Sequence, residues 1–197
     1  MKILAVGDLH GDLRQATRIA EKAKKEKADL IIINGDFTLG DRHTQGLFAV
    51  LKNTKIPILA LPGNHESMAT FEALAKKYDF MSIHGYAAKF GDVGIFGCGA
   101  ADVGLFQLSE KEIYSLLKKS FNYVKDCKKK IMVTHMHPDG VKFSKIFAGS
   151  KAIKNAIKTF KPDLALCSHI HEASGLEDVI GQTKLLVVGK EGHVINI

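Results

Sequence analysis

The amino-acid sequence predicts an α/β protein. Three observations carry that expectation: apolar runs of strand length recur along the chain, amphipathic helical patterns lie between them, and five of the runs end in aspartate, asparagine or histidine. The runs are "KILAV", "LIIIN", "IPILAL", "VGIFGCG", "KIMVT", "DLALC", "KLLVV" and "HVINI". The early ones are continuously apolar, the mark of strands covered on both faces. Residues 12–27 place Leu13, Ala16, Ala20 and Ala23 on one helical face against Lys and Glu on the other. Phe71, Leu74, Ala75 and Tyr78 repeat the helical spacing, as do Ile113, Leu116 and Leu117, and then Ile153, Ala156, Ile157 and Phe160. "SEKE" at Ser109–Glu112 reads as a capping box that starts the third of these helices. The last 30 or so residues change to short strands with turns at Gly175, Gly181 and Gly192.

With 197 residues, 46% of them hydrophobic, the chain supplies one sizeable core, and no linker, repeat or low-complexity segment divides it. Residues 1–197 are therefore expected to form a single domain. The apolar stretch before Asp8 is too short for a signal-peptide core and no run has bilayer-spanning length, so the expected location is the cytoplasm, with no membrane partner. Cys98, Cys127 and Cys167 are odd in number, widely spaced and set in apolar sequence, which suits reduced core thiols. The formal charge of +7 rests on lysine, with Arg14, Arg18 and Arg42 the three arginines among 28 basic residues. "EKAKKEK" and "CKKKI" read as a solvated helix face and a strand lead-in, so nucleic acid is not the favoured ligand. A basic surface favours anionic, phosphate-bearing ligands.

The strand ends point to one chemistry. "ILAV" leads to Asp8 and His10, "LIIIN" to Asp36, "ILALP" to Asn64 and His65, "IMVT" to His135, and "LALC" to His169 and His171. Ligands of open α/β sheets bind beyond the carboxyl ends of the strands, so residues spread from Asp8 to His171 would share one edge. Asp8 with His10, and His169 with His171, are spaced i, i+2, which in extended chain directs both side chains to the same side. Oxygen and imidazole donors without clustered thiolates suit two first-row divalent ions side by side, and a carboxylate such as Asp36 can bridge them. Such a pair lowers the pKa of a shared water and clamps an in-line displacement at phosphorus. Gly7, Gly11, Gly35 and Gly63 allow the close backbone approach that a crowded site demands. Taken singly, each aspartate or histidine would be an ordinary turn residue. The complete set in order is what points to metal.

In that order, "GDLHGD", "NGD", "GNHE", "THMHP" and "SHIH" resemble the motifs of the calcineurin-like metallophosphoesterases, over most of the chain. The resemblance implies a four-layer αββα sandwich with two central mixed sheets and a dinuclear centre. It implies that Asp8, His10, Asp36 and His171 hold one ion, that Asp36, Asn64, His135 and His169 hold the other, and that His65 protonates the leaving oxygen. Two divalent ions are the expected cofactors, manganese first, with iron, zinc, nickel or cobalt compatible. Ser168 stands where the last motif usually has glycine. Glu66 reads chiefly as an acid complementing the dipole of the following helix, and as a partner orienting His65 in the alternative. Arg14 and Arg42 follow strand-end loops, where a surface ion pair and a phosphate clamp are the two readings, and His137 reads as a polar loop residue, with a substrate contact as the alternative.

The expected function is hydrolysis of a phosphodiester, a small molecule or nucleotide, by an enzyme of the small prokaryotic type with a metal-bridging hydroxide as nucleophile. A phosphomonoesterase is one alternative. A protein Ser/Thr phosphatase is another, although that family's second signature places Asp-Arg three residues after the metal aspartate, whereas Asp41 follows Asp36 by five. An interaction scaffold on the same fold would have lost ligands, and here every position is filled. The sequence leaves the oligomeric state open.

Overall fold

The structure is a computed structural model that describes residues 1–43 and 46–197, with the backbone alone described at Phe143. Its strands are β1 (Lys2–Val6), β2 (Leu30–Ile33), β3 (Ile58–Ala60), β4 (Met81–Ser82), β5 (Ala87–Phe90), β6 (Val93–Cys98), β7 (Lys129–Thr134), β8 (Leu164–Cys167), β9 (Glu177–Ile180), β10 (Thr183–Val187) and β11 (His193–Asn196). The helices are α1 (Leu13–Lys25), α2 (Leu47–Lys52), α3 (Met68–Tyr78), α4 (Glu110–Asn122) and α5 (Lys151–Phe160). One sheet runs β11-β1-β2-β3-β4 and the other β5-β6-β7-β8-β10-β9. Each is parallel in its interior and carries antiparallel strands at its margin: β11 against β1, β5 against β6, and β9 against β10.

The continuously apolar runs divide with a period of two, as pleating requires. In the first sheet Leu4, Val6, Ile31, Ile33 and Ala60 pack towards the helices, while Ile3, Ala5, Leu30, Ile32 and Leu59 face the second sheet. In the second sheet Phe96, Met132, Ala165 and Leu185 meet α4 and α5, while Ile95, Ile131, Val133 and Leu166 turn inward against the first. The result is helix, sheet, sheet, helix, with one apolar layer between the sheets and one under each set of helices. This is the four-layer arrangement expected.

All eight apolar runs become strands and all four helical patterns become helices. The capping box forms: Ser109 Oγ accepts the Glu112 N–H and the Glu112 carboxylate accepts the Ser109 N–H. Sequence periodicity did not reveal α2, which is too short to show a repeat and has no side-chain cap. The edge strands β4 and β5 also escaped notice, because "MS" and "AAKF" have partly exposed, mixed side chains. In α1 the buried face is Ala16, Ile19, Ala20 and Ala23, whereas Leu13 sits in the first turn and is exposed. Cys98 and Cys167 are buried free thiols and Cys127 is a half-buried one, as expected. Among the described residues no helix is long and apolar enough to cross a membrane.

Candidate metal centre

The loops that follow β1, β2, β3, β7 and β8 bring the predicted residues to one edge of the two sheets. Asp8, His10 and His171 form one group, and Asp36, His135 and His169 another; in each, the ligand atoms lie within 4.8 Å of one another. Asp36 joins the groups. Its Oδ2 is 3.4 Å from His135 Nε2 and 3.9 Å from His10 Nε2, while its Oδ1 accepts the His65 N–H at 3.0 Å. Asn64 belongs to the second group, with Oδ1 2.9 Å from His135 Nε2. His65 stands at the junction: its Nε2 is 4.0 Å from Asp36 Oδ2, and its ring meets that of His10 edge-on at 4.9 Å.

The i, i+2 pairs reach the site by a route other than the one expected. Asp8, His10, Asp36 and His169 all have left-handed backbone, with φ of 56°, 44°, 50° and 74°. They are therefore not in extended chain, and His171 opens a short 3-10 turn. Left-handed conformations are uncommon for residues with side chains and persist where surrounding contacts over-determine them. Here the contacts are backbone hydrogen bonds between neighbouring loops: Asp8 N–H to Gly35 O, His10 N–H to Asp36 O, and Gly11 N–H to Phe37 O. Close approach needs Gly63, where a Cβ would collide with Asp36 Oδ1.

Glu66 departs most from expectation. It lies ahead of α3, whose cap is Ser67, and it is completely buried. Its carboxylate accepts four hydrogen bonds, from the Asp36, Thr38 and Gly63 N–H groups and from Thr38 Oγ. It thus ties the loop after β2 to the loop after β3, and none of these four bonds goes to the first turn of α3 or to the His65 ring. Burial, with help from the Asp36 carboxylate, pushes Glu66 up to about 7.

The imidazoles are oriented from behind. His135 Nδ1 donates to Asn34 O at 2.8 Å, which leaves Nε2 facing Asp36 and Asn64. Ser168 supports the same carbonyl, its Oγ donating to Asn34 O at 2.8 Å, and its backbone φ is not positive, so serine is accommodated there. His10 Nδ1 is 3.3 Å from Thr38 O, which turns Nε2 inward. Such carbonyl contacts set the tautomer of ligating histidines. His137 is buried, with Nε2 3.1 Å from Phe147 O, and is no open loop residue.

Charge and donor geometry fit divalent cations. Burial pushes Asp8 up to about 6, and its Oδ2 is buried without a hydrogen-bond partner among the described residues. His10 Nε2 and His171 Nε2 face each other at 3.0 Å, so lone pairs from both converge beside that carboxylate. Burial opposes charge on His135, yet Asp36 pushes it up to about 9; burial of Asp36 is in turn outweighed by His135, which holds the carboxyl below the usual carboxylate range. Burial, reinforced by His135, brings His169 down to about 4, the neutral form a metal ligand requires. An orphaned carboxylate oxygen and inward-facing imidazole nitrogens are what a metal site leaves when its donors are preorganised.

Two hollows flank this cluster. One, of about 230 Å³, is lined by Asp8, His10, His171, Lys190 and Glu191 among others; the other, of about 530 Å³, by Asn64, His65, Leu39, Arg42, His43 and Leu105 among others. Lys190 carries no motif signal, and its position follows from the turn between β10 and β11. Arg14 is exposed on α1 and lines neither hollow.

Similarity to known proteins agrees with the geometry. The chain resembles TT1561 of Thermus thermophilus at 20% identity, over 96% of this chain and 90% of that one, with a TM-score of 0.82. It resembles a dimetal phosphatase from Danio rerio at 12% identity, over 96% and 88% of the two chains, with a TM-score of 0.67. An archaeal phosphodiesterase is similar at 15% identity, over 96% and 84%, with a TM-score of 0.56. At these identities the likeness establishes the fold. No protein of curated function matches the sequence significantly. The double sandwich with its Asp/His cluster defines a metallohydrolase class. Within it, residues 1–173 match the model of the calcineurin-like phosphoesterases, and the chain belongs to that family. It is accordingly a metallophosphoesterase, an enzyme acting on phosphate esters.

Proposed function

We propose that the protein is a phosphodiesterase that works with two divalent ions in the cytoplasm, residues 1–197 acting as one domain. The observation that carries the two-ion reading is the position of Asp36 Oδ2, within 4 Å of imidazole nitrogens from both groups. In this reading Asp8, His10, Asp36 and His171 hold one ion and Asp36, Asn64, His135 and His169 the other, with manganese the first choice. Ions bound there supply Lewis acidity towards the phosphoryl oxygens and the attacking water.

The chain's own groups do the rest. Glu66 keeps Asp36 and the Gly63–His65 segment in register, which fixes His65 in the lining of the larger hollow. As the water oxygen bonds to phosphorus and the ester P–O bond breaks, His65 gives its proton to the departing oxygen and later recovers one released from the attacking water. Diester preference is supported by the arginines. Arg14 stands away from the hollows, Arg18 donates to Gln15, and Arg42 alone of the three lines one, so among the described residues no two arginines converge on the charge of a dianion. Lys190, beside His10 and His171, favours the monoesterase as the second reading.

The test is kcat/KM for bis-p-nitrophenyl phosphate, a 2′,3′-cyclic nucleotide and p-nitrophenyl phosphate with manganese. The diesters should be preferred. A tenfold preference for the monoester, about 1.4 kcal/mol in transition-state stabilisation, would select the second reading.

A further inference from the structure

The larger hollow has walls of a different character from its floor. Asn64 and His65 form the floor, whereas Leu39 and Leu105 stand at its sides with 47% and 60% of their surface exposed. Both walls are fastened to the floor. The Leu105 and Phe106 N–H groups donate to Asn64 O at 2.8 and 3.3 Å, and Gly104 makes this possible, since a Cβ there would lie 2.6 Å from Asn64 Nδ2. Leu39, in turn, exchanges backbone hydrogen bonds with Arg42 across a tight turn. Asp41 secures that turn, its N–H donating to His65 O and its carboxylate accepting the Ser67 N–H. The leucines are thus exposed on built walls tied to the segment that carries His65, with the Arg42 cation on the same rim.

We propose that this groove is the leaving-group subsite and that Leu39 and Leu105 select a planar apolar leaving group, an aryl or nucleobase-bearing alcohol, over a small alkyl one. The proposal rests on the phosphodiesterase reading, because His65 must face the departing oxygen for the groove to receive what departs. An apolar ring lying between two leucines removes their exposed surface from water. Arg42 can pair with the phosphoester anion or lie over the ring face. A methyl group reaches neither wall.

Phosphonates separate binding from leaving-group acidity because they are not hydrolysed. Methylphosphonate, butylphosphonate and benzylphosphonate are measured as competitive inhibitors of manganese-dependent bis-p-nitrophenyl phosphate hydrolysis. The wild type should bind benzylphosphonate at least tenfold more tightly than methylphosphonate, with butylphosphonate between. In Leu39→Ser/Leu105→Ser that ratio should fall to threefold or less, while Val179→Ser, which removes an equally exposed apolar side chain from β9, should retain it. Equal inhibition of the wild type by methyl and benzyl compounds overturns the proposal without reference to any variant, and so does an undiminished ratio in the double variant. Both results leave the phosphodiesterase reading standing. Absence of hydrolysis of any phosphate ester would instead remove that reading and this inference with it.

Discussion

Glu66 holds the backbone of Asp36. Its buried Oε2 accepts the Asp36 N–H at 3.0 Å, inside the left-handed turn that aims the Asp36 carboxylate at two groups of histidines. The same carboxylate takes three more donors, so one side chain fixes two loops. Glu66→Gln leaves one oxygen for those donors and turns an NH2 towards N–H groups. Unsatisfied buried donors cost about 1–3 kcal/mol each, and lost support of ligands commonly weakens metal binding by about 10–100-fold. Urea unfolding and manganese titration of the variant should show both losses. Wild-type stability together with wild-type affinity would mean that Glu66 braces nothing.

Asp36→Asn should weaken manganese binding at both positions and bring turnover near background, because one side chain faces both groups. Metal content per chain and kcat are the measurements. A variant that loses one ion and retains the other at normal affinity would show that Asp36 serves a single group.

His65→Ala should separate rate from metal. With His65 as proton donor, its removal lowers kcat by roughly 10²–10⁴-fold while metal content stays near that of the wild type. The alternative is concrete, since His65 lies with His10 and Asp36 in a group of metal-ligating geometry. Loss of an ion from this variant would move His65 into the ligand set.

His84 should give the fold a pH dependence of its own. It is buried at the edge of β4 and its Nδ1 accepts the Gly99 N–H at 2.9 Å, and burial lowers its pKa from 6.5 to about 4. A histidine held neutral in the folded state is protonated more readily when unfolded. Its contribution is therefore complete above about pH 6.5 and is lost as pH falls towards 4, to an extent on the order of 3 kcal/mol. Stability should fall more steeply over that interval in the wild type than in His84→Gln, whose amide oxygen can still accept from Gly99. Parallel curves from urea unfolding at several pH values would contradict this.

The class of the fold and the residues gathered in the candidate site are both legible in the amino-acid sequence. Periodicity reports burial directly: "LIIIN" must be covered on two faces, and the alternation of such runs with amphipathic helices leaves few arrangements other than stacked α/β layers. Strand ends flag Asp8, His10, Asp36, Asn64, His65, His135, His169 and His171 because each breaks an apolar run where loops gather. Three-dimensional packing decided how those residues meet. The i, i+2 pairs converge through left-handed turns held by cross-loop hydrogen bonds, and backbone φ leaves no trace in a pattern of side-chain types. Packing also decided the part played by Glu66, which as an acid just ahead of a helix is indistinguishable in sequence from a solvated one until burial and four donors define it. The same holds for Leu39, Leu105 and Lys190. Exposed residues on loops carry no periodic signal, and their distance from His65 or His10 exists only once β2, β3, β6 and β10 have taken their places in the two sheets.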